Sequence, residues 1–278
     1  MTGFSSDWLR LREAADHRSR NTHLAETLAA RFALRDAITV TDIGCGTGSN
    51  LRGTYSLLPH TQTWTLVDYD TNLLAAARAE LSSWADTAGS EGENTLRLTK
   101  GRFDLIVQFR QADLAADLDK ALGDKADLIT AAAFFDLTSE DFIKKFAKAV
   151  RARKAAFYTV LTYNGVTRWS PHHPVDNQIA AEFHRHQRTD KGFGPSAGPT
   201  APLHLADQFQ LAEYSVQEGD SPWELDVADQ ALIDELQEGH AKAVSETKAI
   251  GEKQLAAWSA LKRTGVLIGH TDTLAFPT

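Results

Sequence analysis

Cysteine is almost missing from this sequence. Cys45 is the one thiol in 278 residues, so no disulfide can form within the chain, which fits a reducing compartment. A basic excess is missing too: 29 lysines and arginines stand against 37 aspartates and glutamates, for a net charge of -8. Affinity for nucleic-acid phosphates rests on a clustered positive field, so no nucleic-acid partner is expected. Long apolar runs are also absent. The first twenty residues hold no continuous hydrophobic core of the signal-peptide kind. No later run approaches the ~20 apolar residues of a membrane helix. The expectation is a soluble cytoplasmic protein with no membrane partner. Internal repeats are absent as well, and only the Gly/Pro-rich 190s approach low complexity.

What is present is the composition of an ordinary globular protein, 42% hydrophobic and 24% charged. Residues 7–32 repeat apolar side chains at helical spacing, as one bent helix or two. Short apolar runs then alternate with helical segments. Strands are expected at 37–43, 63–68, 105–109, 126–133 and 155–162, and helices at 49–58, 71–85, 114–122 and from Thr138 or Ser139 to 151. The stretch 88–94 reads as a solvated turn. This alternation predicts a parallel sheet covered on both faces. It breaks at 166–205, where a loop rich in Pro and His, a helix at 175–188 and the stretch KGFGPSAGPTAP follow one another. A strand at 209–216, a helical segment at 226–263 interrupted near Gly251, and a last strand at 265–276 complete the reading.

One turn carries chemistry. In VTDIGCGTGSN, Gly44, Gly46 and Gly48 follow a strand and precede a helix, at the strand end where doubly wound sheets bind ligands. A dinucleotide fingerprint asks for G-x-G-x-x-G, and Ser49 stands where its third glycine belongs. Asp42, two residues before Gly44, has no particular use in a dehydrogenase.

With Asp42-Ile43-Gly44-Cys45-Gly46-Thr47-Gly48 on the page, the chain resembles the class I S-adenosylmethionine-dependent methyltransferases, whose first motif is an acidic residue, an apolar residue and alternating glycines. The resemblance implies S-adenosyl-L-methionine as cofactor and S-adenosyl-L-homocysteine as product. The glycine turn would lie against the methionine part, and Asp42 would be reached through the ammonium group, often by water. Asp68, ending a strand 20 residues after Gly48, would accept the ribose hydroxyls, with Tyr69 against the adenine. Asp113 would accept from the adenine amino group, with Leu114 as adenine wall, although Asp113 also suits a helix N-cap. The stretch 131–136, with Ala132 and Phe134, would run beneath the sulfonium. The fold implied is α/β, a Rossmann-like doubly wound sheet of about seven strands, mostly parallel with an antiparallel last strand and helices on both faces. It would form one domain over 1–278, with an N-terminal helical cap over 1–35 and an inserted cap over 166–205.

The inserted segment holds five of the ten histidines. Adjacent His172 and His173 point apart in an extended chain, and His184 and His186 do not share a helix face, so no metal site is expected. His172, His173 and Asp136 are candidate bases for an acceptor that keeps its proton near neutral pH. Arg168, Arg185, Arg188 and Lys191 suggest a small, partly anionic acceptor. Three other readings share much of this pattern: a cofactor-binding regulatory module without turnover, a nicotinamide-linked oxidoreductase, and aminopropyl transfer.

Overall fold

A computed structural model describes residues 4–278; positions 1–3 of the expected N-terminal cap lie outside it. The chain opens with α1 (Ser6–Ser19) and α2 (Thr22–Phe32), two helices rather than one, each started by a side-chain cap. Ser5 accepts from the Trp8 N–H at 3.1 Å and Asn21 from the Leu24 N–H at 3.1 Å. The alternating core follows: β1 (Ala37–Ile43), α3 (Ser49–Thr54), β2 (Thr61–Asp68), α4 (Thr71–Trp84), β3 (Thr87–Ser90), β4 (Thr95–Lys100), β5 (Phe103–Gln111), α5 (Leu118–Leu122), β6 (Leu128–Ala132), α6 (Glu140–Arg153) and β7 (Ala156–Ser170). After α7 (Asp176–Gln187) and α8 (Ala201–Leu211) come β8 (Tyr214–Asp220), β9 (Trp223–Leu225), α9 (Gln230–Thr247), α10 (Glu252–Ala260) and β10 (Gly265–Pro277).

The sheet order is β3-β4-β5-β2-β1-β6-β7-β10-β8, with β9 paired to β10. Strands β5, β2, β1, β6 and β7 are mutually parallel, and β10 is antiparallel to both β7 and β8. Numbering the seven core strands in chain order gives 3-2-1-4-5-7-6. The expected seven-strand core is therefore present, and three short strands enlarge it. Two of them form an antiparallel hairpin, β3–β4, on the β5 edge. The composition of 88–94 suits a solvated turn, yet the hairpin runs through it; all four β3 residues are exposed, so no alternation of apolar side chains marks that strand.

Alternate residues of the central strands feed two separate cores. Val40, Trp64, Leu66 and Tyr158 meet Leu28 of α2, Leu51 of α3 and Leu81 of α4. Ile43, Val67, Ile129 and Phe157 meet Phe146 of α6 and Phe209 of α8. This is the pattern of a sheet buried on both faces.

Two expected boundaries move. Residues 166–170 are not loop but the end of β7, in register with β10 from Gly265 to Ile268. Past the reach of β6 and β8 this part of the ladder is continued by β9 on β10, and α7, α9 and α10 pack on it around Trp169 and Trp258. The strand expected at 209–216 begins at Tyr214, because Leu205 and Phe209 are buried at helical spacing on α8. The break near Gly251 is where α10 starts.

Candidate active site

At the carboxyl end of β1 the strand order reverses between β2 and β6, and there the chain leaves in three left-handed glycines. Their φ values are 59° at Gly44, 52° at Gly46 and 77° at Gly48, costly for any residue with a Cβ. Close packing gives a second reason. A Cβ on Gly44 would lie 2.6 Å from Phe134 Cδ2, and one on Gly46 would lie 2.9 Å from Leu9 Cδ1 on α1. The Cys45 N–H donates to the Val67 carbonyl at 3.1 Å, and the Gly46 N–H to Asp68 Oδ2 at 2.9 Å, which ties the turn to the end of β2.

Asp68 Oδ1 accepts from the Asp70 N–H at 3.0 Å. One such donor on each oxygen leaves a lone pair on each for a ligand hydroxyl. Burial raises the Asp68 pKa, and the Asp70 and Gly46 N–H groups pull it back. Beside it, Tyr69, Gln111, Ala112, Asp113, Asp117 and Lys120 line a cleft of about 260 Å³. Tyr69 is 58% exposed, so its ring is free to cover a planar group. Asp113 does two jobs. It lines the cleft while its Oδ1 accepts from the Ala115 and Ala116 N–H groups at 2.9 and 3.2 Å. The helix expected from 114 accordingly starts later, at Leu118, with Asp117 as its cap. Leu114 is buried among the core side chains of Ile43, Val67 and Leu122 and is not in the cleft lining.

Asp42 has no exposed surface. Its Oδ1 accepts from Asn50 Nδ2 at 2.8 Å, and the same Nδ2 lies 3.1 Å from Thr130 Oγ1, so β1, α3 and β6 are braced together. Its Oδ2 has no partner among the described residues. Burial raises its pKa to about 7, against the pull of the Asn50 bond.

Past β6, Ala132 is half-buried and Ala133 takes a left-handed φ of 50°, a backbone strain of the sort that gathers at functional sites. Phe134 meets Phe193, from the loop after α7, edge to face at 5.6 Å. Asp136 follows on a short 3-10 turn, Phe135–Leu137. It is 8% exposed, its Oδ1 has no partner among the described residues, and burial raises its pKa to about 6. Near it stand Tyr163 and His270, which the sequence did not single out, together with His184 of the inserted segment and Arg12 of the N-terminal cap. The Tyr163 hydroxyl on β7 lies 2.9 Å from Thr167 Oγ1 and 2.8 Å from His184 Nε2. Burial first, then the Asp136 charge, pushes that phenol up to about 12. The His270 ring on β10 is 6.3 Å from Tyr163 and 5.1 Å from Trp223. Arg12 of α1 lies 4.9 Å over Trp223 and is gripped by Asp16 at 2.9 and 3.1 Å. Burial, then Arg12, lowers the His270 pKa to about 3. No local motif marks Tyr163 or His270; only the pairing of β7 with β10 brings them together.

His172 and His173 are placed elsewhere. His172 is exposed. The His173 N–H donates to Asp176 Oδ2 at 2.8 Å, and its Nδ1 accepts from the Val175 N–H at 3.3 Å; none of these bonds reaches Asp136 or the glycine turn. Of the cations of the inserted segment, Lys191 is half-buried. Arg168 and Arg188 are exposed, and Arg185 pairs with Glu182 at 2.5 Å. Among the described residues no three His, Cys, Asp or Glu side chains are grouped to hold a metal ion, and no helix is long and apolar enough to cross a membrane.

No protein-family model and no curated protein matches the sequence. Solved structures do match in shape. A protein of Bacillus halodurans C-125 assigned provisionally as a methyltransferase superposes with a TM-score of 0.53 at 12% identity, over 93% of this chain and 100% of that one. The fold is that of the class I methyltransferases. The same fold relates the chain to the YcgJ protein of Bacillus subtilis, at a TM-score of 0.53 and 13% identity over 93% of this chain and 100% of that one. It also relates it to the cyclopropane synthase MmaA2 of Mycobacterium tuberculosis, at 0.52 and 14% over 98% and 94%. In methyltransferase-fold terms the glycine turn, Asp68 and the Tyr69–Asp113 cleft follow successive core strands, and Asp136 follows the fourth.

Proposed function

We propose that this chain is a methyltransferase that binds S-adenosyl-L-methionine and methylates a small-molecule acceptor. The observation that carries the reading is the left-handed glycine turn hydrogen-bonded to the strand-end carboxylate of Asp68 at the switch point of this fold. The residues present fit the cofactor: Gly44 and Gly46 give a left-handed turn that carries no side chain of its own, Asp68 keeps a lone pair on each oxygen for the ribose hydroxyls, and Tyr69 with Asp113 frames a place for the adenine. When bound, the cofactor supplies an electrophilic methyl group on a positively charged sulfur.

The chain's own residues then have two tasks, alignment and exclusion of water. Leu9 of α1 covers Gly46 and Phe134 covers Gly44, with Phe193 edge-on against the Phe134 ring. The burial of Asp136, Tyr163 and His270 supports a small acceptor rather than a macromolecule, and the net charge of -8 argues against nucleic acid. Calorimetry with S-adenosyl-L-homocysteine and with NADH tests the cofactor. Binding of the first and not the second is expected, and the reverse would replace this reading by the oxidoreductase. Transfer of a labelled methyl group to a metabolite extract separates an enzyme from a binding module.

A further inference from the structure

We infer that the methyl acceptor is a small amine whose nitrogen sits on the free oxygen of Asp136, enclosed by Tyr163 and His270. This rests on the methyl-transfer reading and names the substrate class of the same site.

Charge decides between an amine and an acid. Asp16 holds Arg12 through two hydrogen bonds at 2.9 and 3.1 Å, so that pair cancels. Burial lowers the pKa of both His184 and His270, which keeps the two rings neutral. Arg12 also acts on Asp136 and offsets part of its burial, but one cation shared between the carboxylates of Asp16 and Asp136 leaves the group with a net negative charge. The Asp136 carboxylate is 92% buried by the 8% exposure above, on a turn directly beyond β6, the strand beside β1 and its glycine turn.

The unfilled hydrogen-bonding positions agree. Among the described residues Asp136 Oδ1 and His270 Nδ1 are buried with no partner, and the ring of His270 makes its hydrogen bond to the Ser221 backbone, which leaves Nδ1 to accept. Trp8 Nε1, beside Arg12, is an unpartnered donor. Two acceptors against one donor suit a ligand rich in N–H groups. In folded proteins buried polar groups are nearly always satisfied, so open ones call for a ligand or water, and these three belong to side chains linked one to the next through Arg12, Trp223 and Tyr163. A carboxylate acceptor would face Asp136 as a like charge and leave both acceptors unfilled.

The chemistry needs the same charge. The amine, neutral at the moment of reaction, uses its nitrogen lone pair to form the bond to the methyl carbon while the electron pair of the sulfur–methyl bond returns to sulfur. Positive charge thereby passes from sulfur to nitrogen, beside Asp136, and the methylated ammonium then gives up one proton to solvent.

The test is a titration of the protein loaded with S-adenosyl-L-homocysteine, using two pairs matched in shape: propylamine against propionate, and phenethylamine against phenylpropionate. At least one amine is expected to bind tenfold or more tightly than its acid, and Asp136→Asn is expected to reduce that preference below threefold while leaving S-adenosyl-L-homocysteine affinity unchanged. A wild-type preference below threefold, tighter binding of the acids or binding of no probe overturns the inference, whether or not the variant folds. Retention of the preference in a folded Asp136→Asn protein overturns it as well. Failure of S-adenosyl-L-homocysteine itself to bind removes the methyl-transfer reading instead, and the amine preference is then read on the unloaded protein.

Discussion

The ring of Phe134 lies against Gly44 so closely that a Cβ at residue 44 would stand 2.6 Å from its Cδ2. Two strands that are neighbours in the sheet, β1 and β6, thus meet through a glycine and an aromatic ring where the cofactor is proposed to bind. Backbone conformation and packing impose the same residue at position 44. Gly44→Ala is expected to cost about 1–3 kcal/mol of stability, from the left-handed φ and the displaced ring. It should weaken S-adenosyl-L-homocysteine at least tenfold. Urea unfolding and calorimetry on one preparation check both, and native affinity in the variant would remove the turn from the binding site.

Asp68 accepts one backbone N–H on each oxygen, so its removal acts twice. Asp68→Ala is expected to weaken S-adenosyl-L-homocysteine by about 1–3 kcal/mol through the unpaired ribose hydroxyls, and to loosen the glycine turn by freeing the Gly46 N–H. Asp68→Asn keeps an acceptor oxygen and should lose less. Equal affinity for the alanine variant and the parent, measured by calorimetry, would refute the assignment.

Those two residues stand in a part of the molecule that the sequence alone describes well. From β1 to the start of β7, the five parallel strands are apolar runs and the helices between them carry their periodicity, and the chemistry follows strand ends, so position along the chain predicts position in space. The β3–β4 hairpin escapes because an exposed edge strand such as Thr87–Ser90 has no buried face to write an alternation. The far wall of the site escapes for another reason. Tyr163, His184, His270 and Arg12 come from β7, α7, β10 and α1, and their meeting depends on long-range pairing across the sheet. The adjacent histidines 172 and 173 invited a chemical role by composition, whereas the folded chain uses the backbone of His173 to hold Asp176.

Asp136 gives a pH signature. Burial lifts its folded value to about 6 from an ordinary 3.8, so in the acid range the folded chain binds this proton more readily than the unfolded chain. Its ionised form therefore costs stability above about pH 6, and the cost fades as pH falls toward 4. Removing the charge with Asp136→Asn should make the variant gain on the parent as pH rises from 4 to 6, by an amount on the order of 1–3 kcal/mol, and then run parallel to it. The difference curve is the useful quantity. His240 and His270, lowered by burial to about 4 and about 3, make both proteins lose stability as pH falls below 6.5. Urea midpoints from pH 4 to 8 measure the difference, and a flat line would show that Asp136 is not buried as a carboxylate.

Asp176 fixes the start of α7 to α10 and, through Arg263, to the residue that follows β7. Burial works against its charge, yet the His173 N–H, Arg263 and Trp258 hold its pKa below the usual value. Arg263 has no exposed surface, donates to Asp176 Oδ1 at 2.8 Å and also to the Pro171 carbonyl, and lies 5.5 Å from the Trp169 ring and 5.2 Å from that of Trp258. Removing one partner leaves the other buried and uncompensated, so Asp176→Ala is expected to cost about 3–5 kcal/mol. Replacing both, with Asp176→Asn and Arg263→Met, should cost less than the single alanine change, since no bare charge remains. Affinity for S-adenosyl-L-homocysteine should stay within about twofold in the double variant, because neither residue touches the glycine turn or Asp68. Urea unfolding of both proteins, with calorimetry on the double variant, separates a structural knot from a catalytic one. A double variant that folds normally and loses the cofactor would tie this corner of the fold, and His173 with it, to the chemistry.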